Sequence, residues 1–241
     1  IMPKKQIQDL EKLDKTLARI EKRFNEKLDK YYSELETSTL RKVSKYKVGD
    51  KIIIPASKQK GLENLFRNHF KNVERITTEF TKNELKTMFN KSDDLEKIRL
   101  LKLEKMNKYN IKYAQELSTK QVQDYQDKVK DTLTNALKNN PSLSTKELKE
   151  LVRHDTQSFK NTRIEATSET EANRVTNEAK LELYKKMNIK KVRSIAVLDN
   201  RTTQLCRNLH NRVFIIGSQS QLQSAPPRHV RCRSYYVPEV K

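Results

Sequence analysis

Tryptophan is absent from this 241-residue chain, and glycine (three residues), cysteine (two) and proline (six) are scarce. Each shortage excludes something. With only Gly49, Gly61 and Gly217 to supply turn conformations, a many-turned sheet protein lacks its punctuation, and long helices are favoured. Aromatic residues make up 7% of the chain and charged residues 34%, so the apolar core must be thin. Two cysteines cannot build a disulfide-stapled secreted scaffold. No stretch approaches the roughly 18–20 apolar residues of a membrane-spanning helix, and the opening "IMPKKQIQDL" lacks the apolar core of a secretion signal. The expectation is a soluble protein made in the cytoplasm that needs no membrane to fold.

What is abundant is positive charge. Lysine and arginine number 51 against 31 acidic residues, a formal net charge of +20. A compact state carrying that charge repels itself unless something polyanionic lies nearby. Double-stranded DNA fits best, because Lys and Arg neutralise phosphates and release condensed counterions, giving salt-sensitive binding that does not read sequence. From Lys186 onward only Asp199 and Glu239 oppose the basic residues. Lys190, Lys191, Arg193, Arg207, Arg212, Arg228, Arg231 and Arg233 are therefore candidate DNA contacts, and Tyr235 and Tyr236 beside them suit stacking on unpaired bases.

The hydrophobic pattern predicts a mainly α fold: long amphipathic helices followed by a small C-terminal α+β unit with a short antiparallel sheet. From Lys4 to about Tyr46, Ile7, Leu10, Leu13, Leu17, Ile20, Phe24, Leu28, Tyr31 and Leu35 recur three or four apart on one stripe. Burial against the chain's own helices explains the stripe more simply than a coiled coil with another subunit. Gly49, Pro55 and Gly61 around Ile52–Ile54 predict a short strand or extended loop, which closes a first region at 1–61. Residues 62–140 form a second, helical region: one helix over 62–90, another capped by Ser92, and a third from Ser118 to Pro141. In the third region, 141–241, capping-box patterns at Ser144–Glu147 and Ser168–Glu171 predict separate helices over 145–160 and 169–187. After them "KVRSIAVLD", "RVFIIG" and "RSYYVPEV" predict three strands within 190–241.

Chemistry-bearing residues gather in that last unit. Cys206 and His210 stand one helical turn apart, and His229 and Cys232 follow beyond a polar loop, so reversal of the chain can assemble four zinc ligands. The same letters also describe two small buried cysteines beside exposed histidines. Asp199, directly after an apolar strand, reads either as a catalytic or metal-binding carboxylate or as an Asx turn, with Arg201 pairing locally; the turn is the simpler reading. His210-Asn211 with His229 raises a nuclease of the His-Asn-His type, although Asp199 is the one acid nearby. The "ETE" at 169–171 invites comparison with ADP-ribosylating enzymes, but Glu171 has a sufficient role in a capping box, and Glu169 suits the positive end of a helix.

Several of these stretches occur together in a recognisable order. "SETEANRVTN" at 168–177, an apolar strand, "LDNRTTQLCRNLHNRVF" and "APPRHVRCRSYYVPEV" resemble the phage head morphogenesis, or Mu-F-like minor head protein, family over roughly residues 105–241. In that family the turn usually reads Asp-x-Arg-Thr-Cys-x-x-Cys and the end His-Pro-x-Cys-Arg-Cys; here Thr203 and Ser234 replace the outer cysteines and Val230 the proline. The joint absence suggests that the two motifs face each other in space. Thr170, Glu171, Arg174, Asn177, Asp199, Arg201, Thr202, Cys206, His229, Cys232 and Arg233 match. The resemblance implies a structural signature in which Asp199 and Arg201 set the turn and His229 and Cys232 tie the last strand onto it.

It further implies a non-enzymatic minor protein of a tailed-phage head. Such a protein would associate with portal, scaffold or major capsid proteins, reside in the capsid interior or at the portal vertex after assembly in host cytoplasm, and in some relatives leave with the genome. No cofactor is required by this reading, with zinc the one candidate. A nuclease or an ADP-ribosyltransferase-type effector is the alternative.

Overall fold

A computed structural model describes residues 4–239, with the side chains of 4–7 and 104–107 outside the described set, so the expectation for Ile7 falls there. In chain order it contains α1 (Lys4–Leu40), a 3-10 turn (Val43–Lys45), α2 (Ala56–Lys86), α3 (Ser92–Arg99), α4 (Glu104–Asn139) and α5 (Thr145–Lys186). Then come β1 (Lys191–Ala196), α6 (Gln204–Leu209), β2 (Val213–Ile215), α7 (Gln219–Gln223) and β3 (Ser234–Pro238). The mainly helical class with a small C-terminal α+β unit is what forms.

The α1 stripe is buried by the chain itself: Leu10, Leu13, Leu17, Phe24, Leu28, Tyr31 and Leu35 are all inside. No strand forms in the 47–61 segment. It is extended, with Ile52 buried and its carbonyl accepting from Gln126 Nε2 at 2.6 Å. Helix α2 begins directly after Pro55, so Gly61 lies within the helix rather than before it.

Three expected helix boundaries are displaced. Ser92 is the first residue of α3 rather than its cap; Lys91 takes that position with no side-chain bond. The break expected at Ser118 does not occur, because the Ser118 and Thr119 hydroxyls each donate back to the Gln115 carbonyl at 2.9 Å and are satisfied inside α4. The interruption falls instead between α3 and α4, where Leu101 turns into the core.

The third displacement matters most. Residues 145–186 form one helix, not two, and the capping box expected at Ser168–Glu171 is absent: Ser168 is fully buried in mid-helix, and the Glu171 carboxylate accepts from Arg174 Nε at 2.8 Å. Nothing stops a helix there, since no glycine or proline lies between Pro141 and Gly217. Glu169 accordingly sits in a helix interior and meets no helix dipole. The true start carries the expected box, with Ser144 N donating to Glu147 Oε2 at 2.7 Å and Glu147 N to Ser144 Oγ at 3.3 Å. The end is a Schellman turn: Asn188 adopts φ 56°, its N–H reaches Lys185 O, and Ile189 N–H reaches Tyr184 O, both at 3.0 Å. That turn delivers the chain into β1.

The chain divides into two compact units, Arg23–Asn68 with Asn110–Glu165, and Ile1–Lys22 with His69–Tyr109 and Ala166–Lys241. The first is helical and is centred on Tyr32, Tyr125 and Phe159, whose ring centroids lie 5.9–6.2 Å apart. Tyr32 donates to Gln121 Oε1 at 2.8 Å, which satisfies the buried hydroxyl.

The second unit holds the sheet. Strand order is β2-β1-β3 with both pairings antiparallel, Val192 opposite Phe214 and Ser194 opposite Tyr236. Leu85, Ile98, Leu101, Leu183, Tyr184, Met187, Ile189, Val192, Phe214 and Tyr236 form its core. Inside this unit Lys180 is 0% exposed, with its Nζ 3.2 Å from Glu84 Oε2 and 5.1 Å from the centre of the Phe80 ring. Tyr184 donates to the same carboxylate at 2.6 Å. Burial pushes the Lys180 ammonium down and the Tyr184 phenol up, the Glu84 carboxylate opposing the first and adding to the second.

Glu84→Ala leaves Lys180 buried without its counter-charge and should lower the unfolding free energy by about 3–5 kcal/mol in urea titrations. A Glu84→Ala/Lys180→Met double substitution should recover most of that loss, since the stranded charge is then gone. A single-variant loss below about 1 kcal/mol would contradict the account.

Candidate functional site

The site is built where α5 meets β3. Because β3 lies at one side of the sheet, one of its edges has no partner strand. The bonds bracketing the ladder, Val197 N to Arg233 O and Glu239 N to Lys191 O, turn the odd-numbered residues of β3 toward β1. The even-numbered groups face outward, and α5 satisfies them. Asn173 and Asn177 each donate to Ser234 O at 3.0 Å, Asn177 Oδ1 accepts from Tyr236 N at 2.9 Å, and Tyr184 OH approaches Tyr236 O at 3.4 Å. One turn earlier Thr170 Oγ1 accepts from Arg231 N at 2.9 Å, holding Arg231 at φ 60°, a conformation uncommon for a side chain of its size. Thr170, Asn173, Asn177 and Tyr184 form one polar stripe along α5.

The turn after β1 is an Asx turn. Asp199 Oδ1 accepts from Arg201 N at 2.9 Å, and Thr202 Oγ1 donates to Val197 O at 2.6 Å. The cation on Asp199 is Arg233 and not Arg201, whose guanidinium instead approaches Glu169 at 4.0 Å. The Arg233 bond holds the Asp199 carboxyl below its ordinary range. Arg207 closes the same turn by donating to the carbonyls of Thr202 and Asp199 at 3.2 and 2.6 Å. Behind it, burial first, then the Glu169 and Asp14 carboxylates, push Glu21 up to about 8 against the pull of Arg201 and Arg233.

Thr203 caps α6, its hydroxyl accepting from Cys206 N at 3.4 Å, and this places Cys206 toward the start of β3. Cys206, His229 and Cys232 come together there, their ligand atoms all within 4.8 Å of one another. The two Sγ atoms are 3.7 Å apart, and His229 Nε2 is 3.2 Å from Cys206 Sγ. His229 Nδ1 lies 2.8 Å from Val230 O, a bond that assigns the proton to Nδ1 and leaves the Nε2 lone pair facing the sulfurs. Burial raises the Cys206 thiol, but hydrogen bonds, first from Ser234 and Thr203, outweigh it and bring it down to about 6; burial keeps Cys232 raised.

The fourth expected ligand does not join them. His210 Nδ1 accepts from Ala196 N at 3.1 Å, so that histidine braces β1. The groups that a His-Asn-His nuclease would converge are thus separately engaged: His210 by β1, His229 by the cysteines, and Asp199 by its own turn and Arg233.

Of the candidate DNA contacts, Lys190, Lys191, Arg207 and Arg212 are exposed. Arg193 is clamped by both oxygens of Glu239 at 2.9 and 2.6 Å, Arg228 bonds Ser224 O and Ser194 Oγ at 2.8 Å each, and Arg233 holds Asp199. Arg231 is half-buried. Tyr235 and Tyr236 are 3% and 0% exposed and cannot stack on bases; Tyr235 OH donates to Asp14 Oδ1 at 2.7 Å. The clustering of Tyr235 and Tyr236 with arginines suggested stacking on bases, but Tyr236 packs in the core beside Phe214 and Tyr235 turns to Asp14 of α1, so neither face of β3 is open. Asn173 and Tyr184 belong to the site without having been singled out, and Arg228, expected as a DNA contact, serves the sheet instead. A signal existed for one: Asn173 and Asn177, four apart in a helix, are residues that disfavour helix interiors unless their amides are used.

Fold and site together define a helical protein whose C-terminal sheet is tied down by a polar helix stripe and a cysteine–histidine cluster. Residues 127–237, just under half of the chain, match the family described as Phage Mu protein F like protein, the resemblance carried by the motifs above. No curated protein and no solved structure matches the chain.

Asn177→Ala removes the acceptor of Tyr236 N and one of the two donors to Ser234 O, which Asn173 still serves, and equilibrium unfolding should show a loss of about 1–3 kcal/mol. Asn208→Ala, on exposed α6, should stay within about 0.5 kcal/mol of wild type. Glu21 gives a pH test. Its folded pKa lies above its unfolded value, so its contribution is complete below pH 4.5 and lost as pH rises toward about 8. Glu21→Gln should therefore flatten the decline in stability over that window and leave the variant the more stable protein relative to wild type at pH 8 than at pH 4.5. Parallel pH profiles would show that Glu21 ionises normally.

Proposed function

We propose that this chain is a minor structural protein of a tailed-phage head, acting in capsid assembly with portal, scaffold or major capsid proteins and binding DNA non-specifically without catalysing a reaction. The observation that carries the reading is the match of residues 127–237 to Phage Mu protein F like proteins. The DNA component is supported by the net charge of +20, which phosphate inside a filled head would offset. Lys190, Lys191, Arg207 and Arg212, exposed around the start of β1, α6 and the approach to β2, are the side chains we assign to phosphate contact. Residence in the virion, and release with the genome, belong to the same proposal. No described helix is long and apolar enough to cross a membrane.

The test is binding to unrelated double-stranded DNA fragments across a salt series with Mg²⁺ present, the DNA being run afterwards on a gel. Sequence-indifferent binding that weakens steeply with salt and leaves the DNA intact is the expected result. Lys190→Gln/Lys191→Gln/Arg212→Gln should reduce the slope of log K against log salt by about 0.9 for each phosphate contact removed. Absence of binding at low salt would sink the DNA assignment, and cut DNA would sink the non-enzymatic one.

A further inference from the structure

Cys206 on α6, His229 in the turn before β3, and Cys232 just ahead of that strand converge from segments well apart in sequence. We propose that their Sγ, Nε2 and Sγ atoms bind a zinc ion whose fourth position faces the Ser234 hydroxyl, forming a structural clasp that locks the start of β3 onto α6. This goes beyond the assignment to a phage head and is independent of DNA binding.

The spacing carries the argument. Two thiolates bound to zinc at about 2.3 Å with a tetrahedral angle lie about 3.8 Å apart, whereas a disulfide requires about 2.05 Å. The observed Sγ···Sγ distance of 3.7 Å is the tetrahedral edge. The corresponding S···N edge is about 3.6 Å; His229 Nε2 lies 3.2 Å from Cys206 Sγ and within 4.8 Å of Cys232 Sγ, so the ring has to swing away from the first sulfur and toward the second to complete the set. Its ring is already held in the ligating orientation, since Nδ1–H is given to Val230 O, the usual way a protein fixes a metal-binding imidazole.

The space and the surrounding charges agree. Cys206, His229 and Ser234 line a cavity of about 10 Å³, room for a single ion or water, together with Arg201, Arg231 and Arg233, while the fully buried Cys232 lies outside its wall. Ser234 is fully buried and lines the same cavity as Cys206 and His229, which puts a hydroxyl oxygen beside the cluster. Two thiolates neutralise a divalent cation, which allows the site to sit among arginines. Arg233 is already matched by Asp199, and Arg228 Nη1 lies 3.9 Å from Cys206 Sγ, where it supports a thiolate. A sulfur-rich set with one imidazole selects a borderline-soft ion such as zinc over magnesium or calcium. Because the ligands lie on separate segments, binding contributes to folding rather than decorating a finished site.

The experiment uses the full chain without an affinity tag, purified under reducing conditions, loaded with zinc and dialysed, with metal content measured by mass spectrometry and cobalt(II) added as a spectroscopic probe. Stoichiometric zinc, and cobalt spectra with thiolate charge-transfer and tetrahedral d–d bands, are expected. Cys206→Ser and Cys232→Ser should each weaken binding by more than about 100-fold, beyond the range of an outer hydrogen-bond partner, with helical circular dichroism retained. His210→Ala should bind as wild type does. Ser234→Cys supplies a third thiolate and should tighten binding and intensify the cobalt charge-transfer band, which keeps the proposal testable if a cysteine variant fails to fold. A folded, reduced protein that takes up neither ion overturns the proposal. So does uptake that survives both serine substitutions, or a Ser234→Cys protein whose affinity and cobalt spectrum are unchanged.

Discussion

A β-strand with an open edge leaves backbone N–H and C=O groups that must find partners if they are covered. In this protein a helix supplies them. Asn173 and Asn177 on α5 bind Ser234 O, and Asn177 also receives Tyr236 N, so one amide replaces the missing neighbouring strand with both a donor and an acceptor. The rest of the sheet unit depends on this dock. It fixes the register of β3, hence the inward direction of Tyr236 and the place of Cys232 immediately before the strand. It also explains why α5 must be continuous through Ser168: an interruption there would rotate Thr170 away from Arg231 and the asparagines away from β3.

The same helix buries charge further along. Lys180, one turn beyond Asn177, meets Glu84 of α2, and Tyr184 shares that carboxylate while approaching Tyr236 O. A buried ion pair adds little net stability compared with apolar residues of the same volume, but breaking it is costly, so it penalises other alignments of α2 and α5 within this unit. Strand and helix alignment are thus fixed by polar groups with few satisfactory alternatives, in a chain whose apolar content is too low to set register by packing alone.

Most of the architecture was legible in the sequence. Helical periodicity identified α1 and α2, and the box at Ser144–Glu147 located the start of α5, which was expected as two helices. Three β-rich runs became the three strands. What failed was boundaries, for one reason: Ser, Thr and Glu carry the same short patterns inside helices as at their ends. Ser118 bonds back to Gln115, and Ser168 is buried in mid-helix, so only the absence of glycine and proline distinguished interior from terminus. In the site, the Asx turn at Asp199 and the meeting of Cys206, His229 and Cys232 were legible from local chemistry and spacing. The partner of Asp199 was not, because Arg233 arrives through the fold of β3, and spacing within the turn pointed to Arg201 instead.

The basic residues of the C-terminal unit show why charge read from sequence is a poor map of a binding surface. Arg193, Arg228 and Arg233 belong to the interior economy of the sheet, where each holds a carboxylate, a hydroxyl or a carbonyl in place. Arg207 does both, lying exposed while closing the Asp199 turn. Guanidinium groups suit such duties because their planar fork meets several acceptors at once, whereas an ammonium does not. Lys190, Lys191 and Arg212 are left as exposed cations of that unit that no such bond explains. The net excess is not reduced by this sorting, since an arginine bonded to neutral carbonyls remains charged. Its field therefore still favours a polyanion near the sheet even though few side chains would touch one, which separates long-range attraction from contact.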